Sequence, residues 1–177
     1  MAFKWLPKTN SCCFCINNLE VATYLICVFG MAVGFSQFKI LVPACKNVVS
    51  GGFGTFVQIV GYFTVISGLL LFAASVTLVF TAKCFEPITN IFIIIALISV
   101  SMEFIYHVTY ALRYMALDYK CSANKSFAEV FDFNAATPLT VANARIYGQI
   151  VIATFQALLM LYYCVVVNSF AMGRHGG

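Results

Sequence analysis

Four long, almost uncharged apolar stretches run through this chain, at about residues 19–38, 56–82, 88–112 and 146–170. Each has the ~20 residues that a helix needs to cross ~30 Å of hydrocarbon. A core helix of a water-soluble protein is shorter and keeps a polar stripe along its outer face. Hydrocarbon offers backbone amides no partner, so a spanning segment must satisfy its own, as a helix does. A β-barrel would need strands of ~10 residues with alternating polarity, and these runs neither alternate nor stop so soon. The expected fold is all-α, a four-helix transmembrane bundle running up-down-up-down with both termini on the same side.

With 177 residues, of which 62% are hydrophobic and 9% charged, the chain has no room for a separate water-soluble domain. It divides into a cysteine-containing tail (1–18), the bundle (19–170) with two intervening loops (39–55 and 113–145), and a short second tail (171–177). The net charge of +4 comes without a basic cluster, which excludes nucleic acid as a partner. The expected partners are the lipid bilayer and other membrane proteins, a second copy of this chain among them. Lys4 and Lys8 precede the first apolar run as in a signal peptide, but the run exceeds the 7–15 residues of a cleavable core, so it reads as an anchor that stays. Ala2 in place of glycine excludes myristoylation.

Lys and Arg do not orient the bundle. Lys4, Lys8, Lys83 and Arg174 lie on the terminal side, and Lys39, Lys46, Arg113, Lys120, Lys125 and Arg145 on the other, at similar density. Two other features do. The single N-x-S/T sequon, Asn124-Lys125-Ser126, falls in the loop between the third and fourth spans, and its glycosylation requires that loop to be lumenal. Cys45 and Cys121 sit one in each sequon-side loop and are placed to bridge, whereas Cys12, Cys13, Cys15 and Cys84 lie beside the membrane on the terminal side. Disulfides belong to oxidising compartments, so both termini are expected in the cytosol. The terminal-side cysteines have the juxtamembrane position of S-acylation sites. Their spacing differs from paired C-x2-C units and no histidine lies nearby, so no metal is expected.

The spans are joined in characteristic ways. Lys83-Cys84-Phe85-Glu86-Pro87 is so short a link that the second and third spans must form a hairpin. Asn124 to Asn134 interleaves charge with Phe127, Val130, Phe131 and Phe133, and Ser126-x-x-Glu129 has the form of a capping box, so a short amphipathic helix is expected there. In the first span, Gly30 and Gly34 form a small-xxx-small pair that permits close helix packing, inside the bundle or against another copy.

Chemistry, if any, lies in the third span. Glu103 and His107 are four residues apart on one helical face, and Ser99, Tyr110 and Tyr114 continue the stripe. Aligned by depth, Ser67 of the second span and Gln156 of the fourth fall near Glu103. An ionisable residue at this depth is costly and marks either a proton or ion path or a hydrogen-bonded tie between helices. Glu103 is expected to face the interior, within reach of His107 or of a polar group from the second or fourth span. The chain has no paired carboxylates, no Ser-His-Asp set and no Gly-rich phosphate loop followed by Lys. It reads as a non-enzyme without cofactor.

The cysteine-rich start, Ser11-Cys12-Cys13-Phe14-Cys15, running straight into the first span, together with four spans, a short hairpin and a longer last loop, resembles small insect four-span proteins related to the lysosome-associated LAPTM group. Insect members of the pasiflora type belong to septate junctions of epithelia and glia. The resemblance implies a protein that organises or traffics membrane complexes. LAPTM proteins of lysosomes carry tyrosine-based or proline-rich sorting motifs in their tails and residues 171–177 carry neither, so a plasma membrane or junction address is expected. The Cys-Cys-Gly signature of tetraspanins and the Trp…Gly-Leu-Trp…Cys…Cys loop of claudins are absent. MARVEL-type proteins share the topology.

Overall fold

The computed structural model describes residues 6–9, 18–41, 46–49, 51–81, 86–117 and 138–173. They form an all-α four-helix bundle of α1 (Leu19–Ser36), α2 (Phe53–Thr81), α3 (Glu86–Ala116) and α4 (Pro138–Gly173). A 3-10 segment, Gln37–Leu41, prolongs α1, and a second, Lys46–Val49, precedes α2. All four helices are long and apolar enough to cross a membrane. With its polar loops few and its helices this long, the chain is a multi-pass membrane protein.

Local chemistry sets the ends of these helices. Asn18 sits in extended backbone, and its side chain accepts from the amides of Glu20 at 3.0 Å and Val21 at 3.4 Å. That caps the open donors of the first turn of α1, where the Glu20 carboxylate also faces the positive end of the helix dipole. Before α2, Gly51 and Gly52 take φ of 67° and 47°, a left-handed conformation that costs side-chain-bearing residues but not glycine. Their carbonyls accept from the amides of Gly54 at 2.8 Å and Thr55 at 3.1 Å. Pro138 opens α4, where its fixed φ suits a first helical position and its missing N–H costs no bond.

The helices outrun the apolar stretches. Residues 113–116 and 138–145, expected in the loop, are helical. Hydropathy marks where hydrocarbon contact stops, whereas helical hydrogen bonding continues into the polar layer. The amphipathic segment expected at 124–134 lies outside the described residues.

Around the bundle the neighbours are α1–α2, α2–α3 and α3–α4, and α4 meets α1 over a shorter seam. Two apolar cores form inside. One gathers Ile26, Leu71, Leu78, Phe92, Met160 and Val167; the other gathers Ile40, Val57, Val60, Tyr106, Tyr114 and Ile146. Outer faces are apolar too: Phe155 is 65% exposed and Phe80 81%. In water such a surface would aggregate, but in a bilayer it meets acyl chains.

One pattern in α2 explains how close the helices come. Gly54, Gly61, Gly68 and Ser75 recur every seven residues, flanked by Val57, Thr64, Leu71 and Leu78 at the same interval, and all eight are buried. A seven-residue repeat holds one seam against a partner, as in a left-handed coil. Gly34 and Gly68 meet backbone to backbone: a Cβ on Gly34 would stand 2.5 Å from the Gly68 carbonyl oxygen and 3.0 Å from the Phe72 nitrogen. A Cβ on Gly30 would stand 2.5 Å from Ser75 Oγ. The small pair of α1 is thus spent inside the bundle, against the small stripe of α2.

Candidate functional site

A polar layer lies between the two apolar cores. Helical spacing brings Ser99, Glu103, His107, Tyr110 and Tyr114 of α3 to the inside, and all five are buried. Glu103 is 1% exposed and His107 3%. Gln37, at the point where α1 tightens into its 3-10 segment, is fully buried and reaches across to α3. Its Nε2 donates to Ser99 Oγ at 3.0 Å and to Glu103 Oε2 at 3.1 Å. Ser99 Oγ also stands 3.2 Å from Gln37 Oε1, so the hydroxyl sits against both ends of the amide.

His107 does not close the set. Its Nε2 stands 4.0 Å from Glu103 Oε1, longer than a hydrogen bond, and the edge of the Tyr106 ring lies beside it with centroids 5.3 Å apart. Among the described residues Glu103 Oε1 has no hydrogen-bond partner. The expected partner from the second or fourth span is not the one found. Ser67 Oγ turns back to the Thr64 carbonyl of its own helix at 2.8 Å. Gln156 is half-buried, and its Oε1 has no hydrogen-bond partner among the described residues. The polar contribution of α2 is Thr64, whose hydroxyl lies 2.8 Å from the Val60 carbonyl and 3.1 Å from that of Met102 in α3.

Gln37 is the residue that sequence reasoning passed over. It stands at the edge of the first apolar run, two residues before Lys39, and so reads as an interfacial residue. The signal was its register: Thr23, Gly30 and Gln37 are seven apart and all buried, so Gln37 continues the inner stripe of α1. Gly68 makes room for it, since a Cβ there would collide with Gln37 Oε1.

Cys12, Cys13, Cys15, Cys45, Cys84, Cys121 and Asn124 lie outside the described residues. Cys27 in α1 and Cys164 in α4 are buried free thiols within the first apolar core, where cysteine acts as a small hydrophobe. Among the described residues no three His, Cys, Asp or Glu side chains come together as a group that could hold a metal ion.

No protein-family model matches the chain, and no curated protein or solved structure matches it either. The class rests on the molecule itself: an integral membrane protein of four apolar helices, with a hydrogen-bonded polar layer closed inside.

Proposed function

We propose that this chain is a non-enzymatic membrane protein that organises or traffics membrane complexes, at the plasma membrane or a cell junction. The observation that carries this reading is the sealed polar layer. A carrier needs a polar path from water to its ionisable centre, whereas Gln37, Ser99, Glu103 and His107 are all buried, with an apolar core to either side. The amide of Gln37 ties α1 to α3, and Thr64 ties α2 to α3. The layer then acts as an internal fastener, and the surfaces left for partners are the loops and the lipid-facing helix sides. The kinship with LAPTM-like four-span proteins belongs to this proposal, as do helices that alternate in direction and termini on one side. The order of contacts supports the alternation: Gly30 meets Ser75, Gly34 meets Gly68, and Gly61 meets Ile40 and Tyr106. A hydrogen bond from the Thr9 amide to Ser169 Oγ, at 2.9 Å, sets the N-terminal segment beside the far end of α4.

One observation favours a second reading, a small transporter, channel subunit or proton-coupled carrier working through Glu103 and His107. Among the described residues Glu103 Oε1 is buried without a hydrogen bond, 4.0 Å from His107, as in a relay awaiting a proton or a water. Glu103→Gln separates the two. The amide accepts and donates hydrogen bonds but carries no proton. As a fastener the variant stays folded, localised and functional. A variant that is correctly localised yet inactive overturns the organiser and establishes the carrier.

A further inference from the structure

The outer face of α4 changes character along its length. Val151, Phe155, Leu158 and Tyr162 follow one another at spacings of three and four, so they share one side of the helix. That side lies opposite the inward-facing Met160, Cys164 and Val167. The four residues are 68%, 65%, 62% and 38% exposed. The same side continues through Val166 and Ser169, yet these two are 0% and 6% exposed. A layer of chain from outside the four helices lies over this end of α4.

That layer is the N-terminal segment. The Thr9 amide donates to Ser169 Oγ at 2.9 Å, and Leu6 packs against the apolar core that holds Val166 and Val167. Pro7 and Lys8 between them are exposed, so the segment is held at both ends with its middle turned outward. Ser169 Oγ also donates to the Val165 carbonyl at 2.8 Å, which fixes the hydroxyl and leaves its lone pairs for the amide. Nine residues after Thr9 the chain reaches Asn18, the cap of α1. Residues 6–9 therefore join the outside of α4 to the start of α1. They do so across the seam that is shorter than those between the other neighbouring helices. Within that seam the Phe29 ring meets Tyr163 edge to face, with centroids 5.2 Å apart.

We propose that residues 6–9 form a releasable strap that braces α4 against α1. Seated, it closes the α1–α4 seam and covers Ser169. Released, it loosens the seam, and the end of α4 joins the stripe that faces the membrane. Leu6 and Thr9 are only half-buried, so the strap opens locally, well below the free energy that unfolds the helices. This device is independent of the polar layer and of the organiser reading.

Cys164 is a built-in reporter, a free thiol beside Tyr163 of the seam and only 1% exposed. The full chain in phosphatidylcholine vesicles is treated with N-ethylmaleimide, and alkylation of Cys164 is timed by peptide mass spectrometry, which separates it from the other cysteines. When opening and closing outpace alkylation, the rate follows the open fraction. Ser169→Ala removes the acceptor of the Thr9 amide and should speed alkylation about five-fold, the worth of one net hydrogen bond. Leu6→Ala should speed it about ten-fold, from roughly two buried methylene groups. Thr154→Ala is the control. Its hydroxyl also bonds a carbonyl of α4, that of Ile150 at 2.8 Å, but on a turn away from the strap, and the rate should not change. Circular dichroism and gel filtration check that each variant is folded; where one strap variant fails, the other decides. Equal rates in the folded variants and the parent chain overturn the proposal. So does a Thr154→Ala rate as fast as that of Ser169→Ala, because α4 would then loosen as a whole. Loss of the fold in both strap variants overturns it too, since a releasable strap leaves the bundle standing.

Discussion

Glu103 holds one carboxylate oxygen in a hydrogen bond, and the other has no partner among the described residues, inside a bundle of hydrocarbon side chains. Its fate depends on Gln37. Interhelical hydrogen bonds in membranes average only ~0.6 kcal/mol, but stranding a buried polar partner costs more, ~1–3 kcal/mol. Gln37→Leu removes both of its donated bonds and leaves Glu103 without its amide; Glu103→Leu leaves the amide with Ser99 alone. Each should cost about 1–3 kcal/mol in a denaturing-detergent titration followed by circular dichroism. The double variant replaces both partners with apolar groups and should cost less than the sum, by about 1 kcal/mol. Strictly additive costs would mean that the two side chains do not depend on each other. The sequence made half of this pair visible: Glu103 stands out as the acid in an apolar run, and spacing by four puts Ser99 and His107 on its face. Gln37 was hidden because polarity at the end of an apolar run is ordinary, and because chain distance says nothing of which helix lies across the core.

At the scale of elements, the number and type of helices followed from hydrophobic length alone, since hydrocarbon leaves few alternatives. How the helices pack was harder to read. Gly30 and Gly34 announced a close contact, but not its partner. The seven-residue stripe of Gly54, Gly61, Gly68 and Ser75 does not stand out in a run where nearly every neighbour is apolar, because no polar face contrasts with it. Its role yields a prediction by comparison. Gly34→Ala and Gly68→Ala should each destabilise the bundle by about 1–3 kcal/mol, the usual cost of overpacking, since the Gly34 methyl meets backbone of α2, and the Gly68 methyl meets the Gly34 carbonyl oxygen as well as the Gln37 side chain, which the polar layer holds in place. Gly148→Ala in α4 meets nothing within 4 Å and should be neutral or stabilising by up to ~1 kcal/mol, from helix propensity. Thermal aggregation midpoints in detergent would compare the three. Equal effects at all three positions would remove the small stripe as the cause of the α1–α2 approach.

For the whole molecule, the property that composition leaves open is orientation. Turning the bundle over in the membrane changes no internal contact, and the lysines and arginines are spread too evenly to choose. The choice falls to groups whose chemistry differs between compartments. We propose that the loop bearing Asn124 is lumenal and both termini cytosolic. Asn124-Lys125-Ser126 is the chain's single glycosylation sequon, and Cys45 and Cys121 fall in the two loops on that side. Glycosylation enzymes and an oxidising poise are both lumenal, so two independent reactions report on the same fact. Protein expressed in cells should lose apparent mass on glycosidase treatment, and Asn124→Gln should already run at the lower mass. A disulfide between Cys45 and Cys121, which requires their Cα atoms to come within ~7 Å, should leave both thiols unreactive to alkylation in unfolded, unreduced protein. A protease applied to intact cells should leave an N-terminal tag whole, and membrane permeabilisation should expose it. An N-terminal tag cleaved on intact cells would invert the bundle, and the cysteine clusters would then exchange roles: Cys45 and Cys121 would be held reduced in the cytosol, and Cys12, Cys13 and Cys15 would become the candidates for oxidation.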